Sequence, residues 1–449
     1  MKDLGAGSTV HGNFWIERMP HLSLQNEGIC YALVALGAAH HNFLLQKSQV
    51  AWRPQGDMDR FIILHYNLAI RYIQPLMSNP TAANIQISLI CCILFICFEN
   101  VRGQYLESMK HLKSGSRLLA SVLSSESGSM PIMPNSRQPC SLNEETEQIS
   151  ACEPEDGMDS IVTLFSCLGL DTSMLVEDEV VSQRQLCGQS SIPAAVETFG
   201  PIVPFSSLNA ARKELHQIEI THDIFYEIMY PCDIWQTRPE QKGLTCSELP
   251  PPNFSEKDLQ SYRGIYQQFM RWSARFDLFM GTFLGQSASA KDLCEAFTTR
   301  LHQKTWIALL DEEPWSPSQE DDFEEGDLRP IVDEVELIIK SLPPSPRALF
   351  SFDAAIIPPL SLVGCFTKDM ELLQRVVIAL RALDRREGVW DSKDLAEVFE
   401  ASIIAQKCHG WPINGVSKDV LSIAKSLRSL NISCISPTNS IVELALQIG

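Results

Sequence analysis

"ISLICCILFICFENVRGQYLESMKHLKSGSRLLA", residues 87–120, opens with a nearly unbroken apolar run and then turns amphipathic. It can be read as a membrane anchor, a metal site on Cys91, Cys92 and Cys97, or the inside of a helical domain. The run from Ile87 to Phe98 has twelve residues, whereas a bilayer-spanning helix takes about twenty. Asn84 and Gln86 precede it and Glu99–Asn100 follow it. It therefore reads as a helix buried on most sides. Structural zinc sites commonly use C-x-x-C pairs, which set two thiolates at tetrahedral distance. No such pair occurs in the chain. Adjacent Cys91 and Cys92 leave a helix about 100° apart. No metal site is expected there.

The flanking segments extend the helical reading. Gly103 can turn the chain. After it, Tyr105, Met109, Leu112, Leu119 and Val122 share one side at helical spacing, with Glu107, Lys110 and Lys113 free to face water. Before it, "RFIILHYNLAIRYIQPLM" (60–77) places Phe61, Leu64, Leu68 and Tyr72 on one stripe, expected to face inward, until Pro75 and "SNPTAAN" (78–84) interrupt it. "GICYALVALGAAHHNFLLQ" (28–46) is a further apolar helix, rich in small residues that allow close helix contact. Successive helices with short turns make an antiparallel layer.

Residues from Ser124 to about Asp159 are rich in Ser, Glu, Pro and Asn and read as a disordered insertion. An apolar helix resumes at 158–175, and 182–207 is loop-like. The segment 207–230 is a long helix with Leu208, Ala211, Leu215, Ile218 and Ile224–Phe225 inward. Residues 255–281 form another, with Ser255 as N-cap and Leu259, Tyr262, Tyr266, Phe269 and Phe276 inward. "DEEPWSPSQEDDFEEGD" (311–327), with Trp315 and Phe323 among its charges, reads as a solvated linker. Helices follow at 330–342, 369–386, 391–407 and 417–430, the third opened by the start signal Asp391–Ser392. The expected fold is all-α, a multi-helix array of antiparallel helices with disordered acidic and Ser/Pro-rich insertions. Its parts are 1–123, a linker at 124–157, 158–310, an acidic loop at 311–329, and 330–449.

The chain has 449 residues and a net charge of −19. A broad nucleic-acid grip needs positive charge to neutralise phosphates, and the densest basic run is only "RALDRRE" (381–387). Fourteen cysteines are spread thinly, many inside apolar runs (Cys30, Cys92, Cys167, Cys365). They read as reduced, buried small hydrophobes. The first twenty residues lack an apolar signal core, so the N-x-S sequences at Asn253 and Asn431 carry little weight.

Catalytic signatures are missing: there is no G-x-x-x-x-G-K-[ST], G-x-S-x-G or H-E-x-x-H. "GAGSTVHG" (5–12) has no preceding strand and misplaces its third glycine. "DMD" (57–59) reads as a solvated helix lead-in. Of His40 and His41, adjacent on a helix, one is expected to pack and the other to meet solvent. His216 and His222 lie six apart, nearly on opposite helix sides, and get the same reading. His65 and His111 sit on helices that could pair. No catalytic residue, metal ligand or cofactor is assigned, and the chain is expected not to be an enzyme.

"LVALGAAHH" (33–41), "HYNLAIRYI" (65–73), "CCILFICFENVRGQYLESMKHLKSGSRLL" (91–119), "PFSSLNAARKEL" (204–215) and "ALRALDRREGVWDS" (379–392) occur in that order. The set resembles the regulatory region of fungal zinc binuclear-cluster transcription factors, the fungal-specific transcription-factor domain, over residues 28 to 410. The resemblance implies an all-helical regulatory domain, a nuclear location and control of transcription. It further implies partners among other regulators or a second copy, and a small-molecule effector. Many members govern metabolic or secondary-metabolite gene clusters. Such factors normally begin with six cysteines holding two zinc ions in C-x-x-C halves within a basic segment. Here the first cysteine is Cys30, and no basic linker follows it. The family's zinc-binding and DNA-contacting residues therefore carry over onto nothing.

The expectation is a regulator working without its own zinc cluster, with no direct DNA binding from this chain alone and no membrane. The alternatives are a DNA-binding factor whose first segment is missing from the sequence, and a helical scaffold or enzyme of a biosynthetic pathway. The buried-helix reading has a direct test. Leu94→Asp places an unpaired carboxylate in the apolar run, which costs several kcal/mol, so the N-terminal half should unfold. Unchanged solubility and melting in that variant would contradict the assignment.

Overall fold

The computed structural model describes residues 14–47, 55–127, 157–173, 175, 181–187, 200–229, 254–284, 289–310, 325–342, 349–409, 419–429, 435–436 and 438–448. "GAGSTVHG", nearly all of the Ser/Pro-rich insertion and most of the acidic stretch lie outside these residues. After a π-helical turn at Phe14–Arg18 come α1 (Met19–Gln25), α2 (Glu27–Lys47), α3 (Gln55–Ser78), α4 (Ala82–Arg102), α5 (Tyr105–Ser127), α6 (Gly157–Ser173), α7 (Gln183–Leu186) and α8 (Leu208–Met229). Then follow α9 (Glu256–Phe283), α10 (Ala290–Leu309), α11 (Glu325–Ser341), α12 (Ile357–Phe366), α13 (Met370–Leu383), α14 (Ser392–His409), α15 (Val420–Ser429) and α16 (Ser440–Ile448). Among the described residues three short strands accompany them: β1 (Leu349–Ser351), β2 (Arg385–Glu387) and β3 (Trp390–Asp391). The fold is all-α, as the sequence predicts.

The run at 87–98 lies at the centre of α4. Thr81 Oγ1 caps its start by accepting the Asn84 amide at 3.2 Å. Gly103 ends it in the left-handed conformation, φ 73°, which costs a glycine little. Except for Cys92, every residue from Ser88 to Val101 is buried, and Leu94 is 0% exposed. On composition alone α2 and α4 are long and apolar enough to cross a membrane. In the fold, α4 packs against α2, α3, α5 and α6.

The inward stripe expected on α3 is wrong. Phe61, Leu64 and Tyr72 are 43%, 56% and 40% exposed, and the buried face carries Ile62, Ala69 and Ile73. Gly28 of α2 explains the choice. A Cβ added there would stand 3.2 Å from Ile73 Cγ1, so the two helices approach along small residues. Two corrections concern α9, where Leu259 and Tyr266 are only half-buried while Tyr262, Phe269 and Phe276 are fully covered. The loop-like stretch 182–207 contains the short helix α7, capped by Ser182. Helices α1, α10, α12 and α16 also add to those expected.

Apolar side chains form three clusters. The first joins the π-helical turn to α1–α7 and includes Phe350 and Phe352 from β1 and the residues after it. The second is built on α8, α9 and α10 around Trp272, Phe269 and Phe276. The third takes α11 to α16 with Tyr105 and Met109 of α5. A buried ion triad ties α10 to α11. Glu334, fully buried, accepts Arg300 Nε at 2.9 Å and Lys304 Nζ at 2.7 Å.

The segment "RREGVWDS" decides how the clusters meet. The helix expected over 369–386 stops at Leu383, because Asp384 turns left-handed at φ 37°. Arg385–Glu387 then pairs parallel with β1 and antiparallel with β3. Arg386 Nη1 donates to the carbonyls of Asn100 and Val101 at 3.2 and 2.9 Å, in the last turn of α4. Its Nε and Nη2 reach Asp391 Oδ2 at 2.8 and 2.6 Å. Asp391 Oδ1 in turn caps α14 through the Lys393 amide at 2.9 Å. A guanidinium at a helix C-terminus meets the negative end of the helix dipole. Burial opposes its charge, but Tyr105 and Asp391 hold it above its ordinary value. Next to it, Glu387 Oε2 accepts the amides of Ala355, Ile356 and Ile357 at 2.9, 2.8 and 2.9 Å, capping α12.

Arg386→Leu leaves Asp391 and two carbonyls buried without this partner. Breaking a buried pair from one side costs about 3–5 kcal/mol, so the urea midpoint should fall markedly. Arg386→Lys should lose less, keeping charge but not the fork. Equal stability of Arg386→Leu and wild type would refute the clamp.

Candidate functional site

Where the three clusters meet, packing leaves space. The larger chamber has a volume of about 460 Å³ and lies between the end of α6, α8, α10, α12, Trp390 and the start of α15. A smaller one of about 120 Å³ adjoins it. Leu170, Asp171, Glu219, His302 and Ala354 line both. Pockets of a few hundred Å³ at such junctions are where small molecules bind.

The wall is held by long-range hydrogen bonds. Asp171, at the end of α6, accepts the Ala354 amide on Oδ2 at 3.2 Å, and its backbone carbonyl accepts Trp390 Nε1 at 3.1 Å. Glu387, by capping α12, fixes the Ala354–Ile357 segment that forms one side. The clamp segment thus builds the pocket as well as the fold. Burial, with Asp353 nearby, pushes the Asp171 carboxyl well above the usual carboxylate range, although the Ala354 amide works against this.

The opposite wall carries Glu219 of α8. Its Oε1 accepts Trp306 Nε1 at 2.9 Å. His216 Nδ1 stands 3.7 Å from Oε2 and His302 Nδ1 3.7 Å from Oε1. Burial would raise this carboxyl, yet the two histidines hold it below its ordinary value. His302 Nε2 donates to the Ala355 carbonyl at 3.1 Å. His222 packs against Tyr226 and edge-on against Trp306, with ring centroids 4.7 and 4.8 Å apart. Burial pushes it down to about 4, against the pull of Glu219. Cys167 keeps its proton, since burial pushes its thiol well up, and lies 3.5 Å from His216 Nε2.

His216 and His222, expected on nearly opposite sides with one packed and one solvated, instead serve adjoining chambers with Glu219 between them. The spacing H-x-x-E-x-x-H at 216–222 was the missed signal, since steps of three keep side chains on neighbouring strips of one helix face. Nothing local pointed to Asp171, His302, Trp306 or Trp390. His40 is buried and His41 exposed, as expected. His65 and His111 take different partners: His65 Nδ1 faces the Phe61 carbonyl at 2.8 Å, and His111 Nε2 meets the Tyr66 hydroxyl at 3.0 Å. Asp57, in the first turn of α3, and Asp59, just after it, are both exposed. Cys91 and Cys97 are buried and Cys92 half-buried, and burial pushes all three thiols up. Among the described residues, no three His, Cys, Asp or Glu side chains are arranged to hold a metal ion.

Residues 6–153 match the family model described as "Fungal specific transcription factor domain". No curated protein and no solved structure matches the chain. The match covers the N-terminal third of the chain, from the first described turn through α5, and transcription regulation is the general function it supports. The chambers are lined entirely by residues beyond the matched segment.

The His222 environment has a pH signature. Its folded value of about 4 lies below the ordinary 6.5, so between the two the unfolded chain binds more protons. The stabilisation is complete above pH 6.5 and is lost as pH falls toward 4. Asp394, raised to about 6, works in the opposite sense, so the comparison must be with His222→Phe, which shares it. The stability advantage of wild type over that variant should shrink between pH 6.5 and pH 4 in denaturant titrations. A constant difference would contradict the assignment.

Proposed function

We propose that this chain, with a fungal-specific transcription factor domain over residues 6–153, regulates transcription of a metabolic or secondary-metabolite gene cluster in the nucleus. It acts by receiving a small molecule in the chambers and relaying its presence to other regulators. One observation carries the reading: the segment Arg385–Trp390 touches both regions. Arg386 grips the end of α4, within the matched residues, and Trp390, four residues on, walls the larger chamber. A molecule that presses on Trp390 or Ala354 therefore acts on the strap that holds the domain.

The charge balance favours contact with DNA through a partner regulator, and a second copy of this chain is the other candidate partner. The three arginines of the densest basic run are all paired internally: Arg381 with Glu400, Arg385 with Glu387 and Arg386 with Asp391. The polar group His216–Glu219–His302 keeps an enzyme of a biosynthetic pathway as a second reading, and turnover of a pathway intermediate by the purified chain would favour it.

The test uses a fusion to a heterologous DNA-binding head in a fungal host. Ser361 is a small, buried side chain that lines the larger chamber, so Ser361→Phe fills it. Wild type should change reporter output between growth media, and Ser361→Phe at equal protein level should give output independent of medium. A fusion with no effect on the reporter, or a filled variant that still follows the medium, would overturn the proposal.

A further inference from the structure

We propose that the larger chamber takes a compact aromatic or alicyclic amine, its protonated nitrogen seated by Asp171. This rests on the reading of the chambers as an effector site and adds the chemistry of the occupant. Four carboxyl groups, Asp171, Glu219, Asp223 and Asp419, line the larger chamber, together with His222 and His302. Among the described residues that line it there is no lysine or arginine, and Arg212 stands in the smaller chamber. An entering carboxylate or phosphate would meet repulsion, and a cation would not.

The acids differ in what they already hold. Glu219 is engaged with Trp306, His216 and His302. Asp419 accepts the Ser422 amide at 2.8 Å at the start of α15. Asp171 stands on the boundary of the two chambers, its Oδ2 on the Ala354 amide. The rest of the wall suits a flat body. Tyr226, Trp306, Phe366 and Trp390 contribute rings, and Pro358 and Leu362 contribute aliphatic surface. Ring faces also attract an ammonium group.

Burial raises the Asp171 carboxyl well above the usual carboxylate range and so favours its protonated form when no cation is present. An amine arriving as an ammonium ion pairs with the carboxylate form, so the Asp171 proton leaves to solvent. Binding should therefore release protons. A neutral or anionic occupant would have no such effect.

Three probes with one body and three heads test this by titration calorimetry on the full chain at neutral pH: 2-naphthylmethylamine, 2-naphthalenemethanol and 2-naphthoate. Repeating the titration in buffers of different ionisation enthalpy counts the protons. The amine should bind about tenfold or more tightly than the alcohol, in line with a charge-assisted contact, with proton release, and the carboxylate should bind weakest. Asp171→Asn keeps an acceptor for the Ala354 amide. It should abolish proton release and bring the amine down to the alcohol's affinity, with unchanged melting. Ser361→Phe should exclude all three probes.

If the alcohol or carboxylate binds as tightly as the amine and Ser361→Phe still excludes it, the amine inference fails and the effector reading survives. Amine binding that ignores both substitutions would place it elsewhere and overturn the inference. So would failure of all three probes to bind, and the reporter experiment then decides the effector reading on its own.

Discussion

A buried guanidinium at the C-terminal end of a buried helix governs much of this architecture. α4 is apolar on nearly every side, so its last carbonyls cannot all turn to water. Gly103 supplies a left-handed exit and takes part of the cap, its amide lying 3.1 Å from the Asn100 carbonyl. Arg386 supplies much of the rest, from 285 residues further along the chain. The same guanidinium is neutralised by Asp391, which starts α14. A Cβ at Gly103 would come within 2.9 Å of Ser440 Oγ at the start of α16. One crowded point therefore fixes the relation between the first and third apolar clusters, and a charge buried this deep tolerates little displacement before its partners are left unpaired.

The chambers follow from that arrangement. β2 is held against β1 and carries Glu387 in reach of three amides, which sets where α12 begins. The hairpin through Gly388, at φ 54°, brings Trp390 back to face Asp171. Two helices of the second cluster, α8 and α10, close the far side, tied to each other by Trp306 on Glu219. The resulting space has aromatic walls and acidic corners. Its composition differs from the Leu- and Ile-rich interior around α4, and that difference is what gives it the character of a binding site.

Much of the fold was readable in the sequence, and the reasons for success and failure are physical. α4 was legible because twelve successive apolar residues admit few alternatives, and α14 because Asp391 is both a start signal and the observed cap. α3 misled because it is apolar on two strips. Periodicity cannot rank Phe61–Leu64–Tyr72 against Ile62–Ala69–Ile73, whereas the approach of α2 at Gly28 can. α13 was read three residues too long because Arg385–Glu387 have ordinary helix propensity, and only the left-handed Asp384 shows the break. The site was the least legible part. Asp171 and Ala354 are 183 residues apart, and Trp390 and Asp171 are 219 apart, so no local pattern joins them. Only the H-x-x-E-x-x-H spacing on α8 lay within reach of a sequence argument.

The account stands or falls on whether the α4 clamp and the chamber wall are one mechanical unit. Hydrogen exchange on the full chain, comparing Arg386→Leu with wild type, reads both ends at once. Amides in the last turn of α4 and those of Ala355, Ile356 and Ile357 should lose protection together in the variant. Exchange that quickens at α4 while the 355–357 amides keep wild-type protection would show the two regions to be independent, and the proposed route from pocket to domain would be lost.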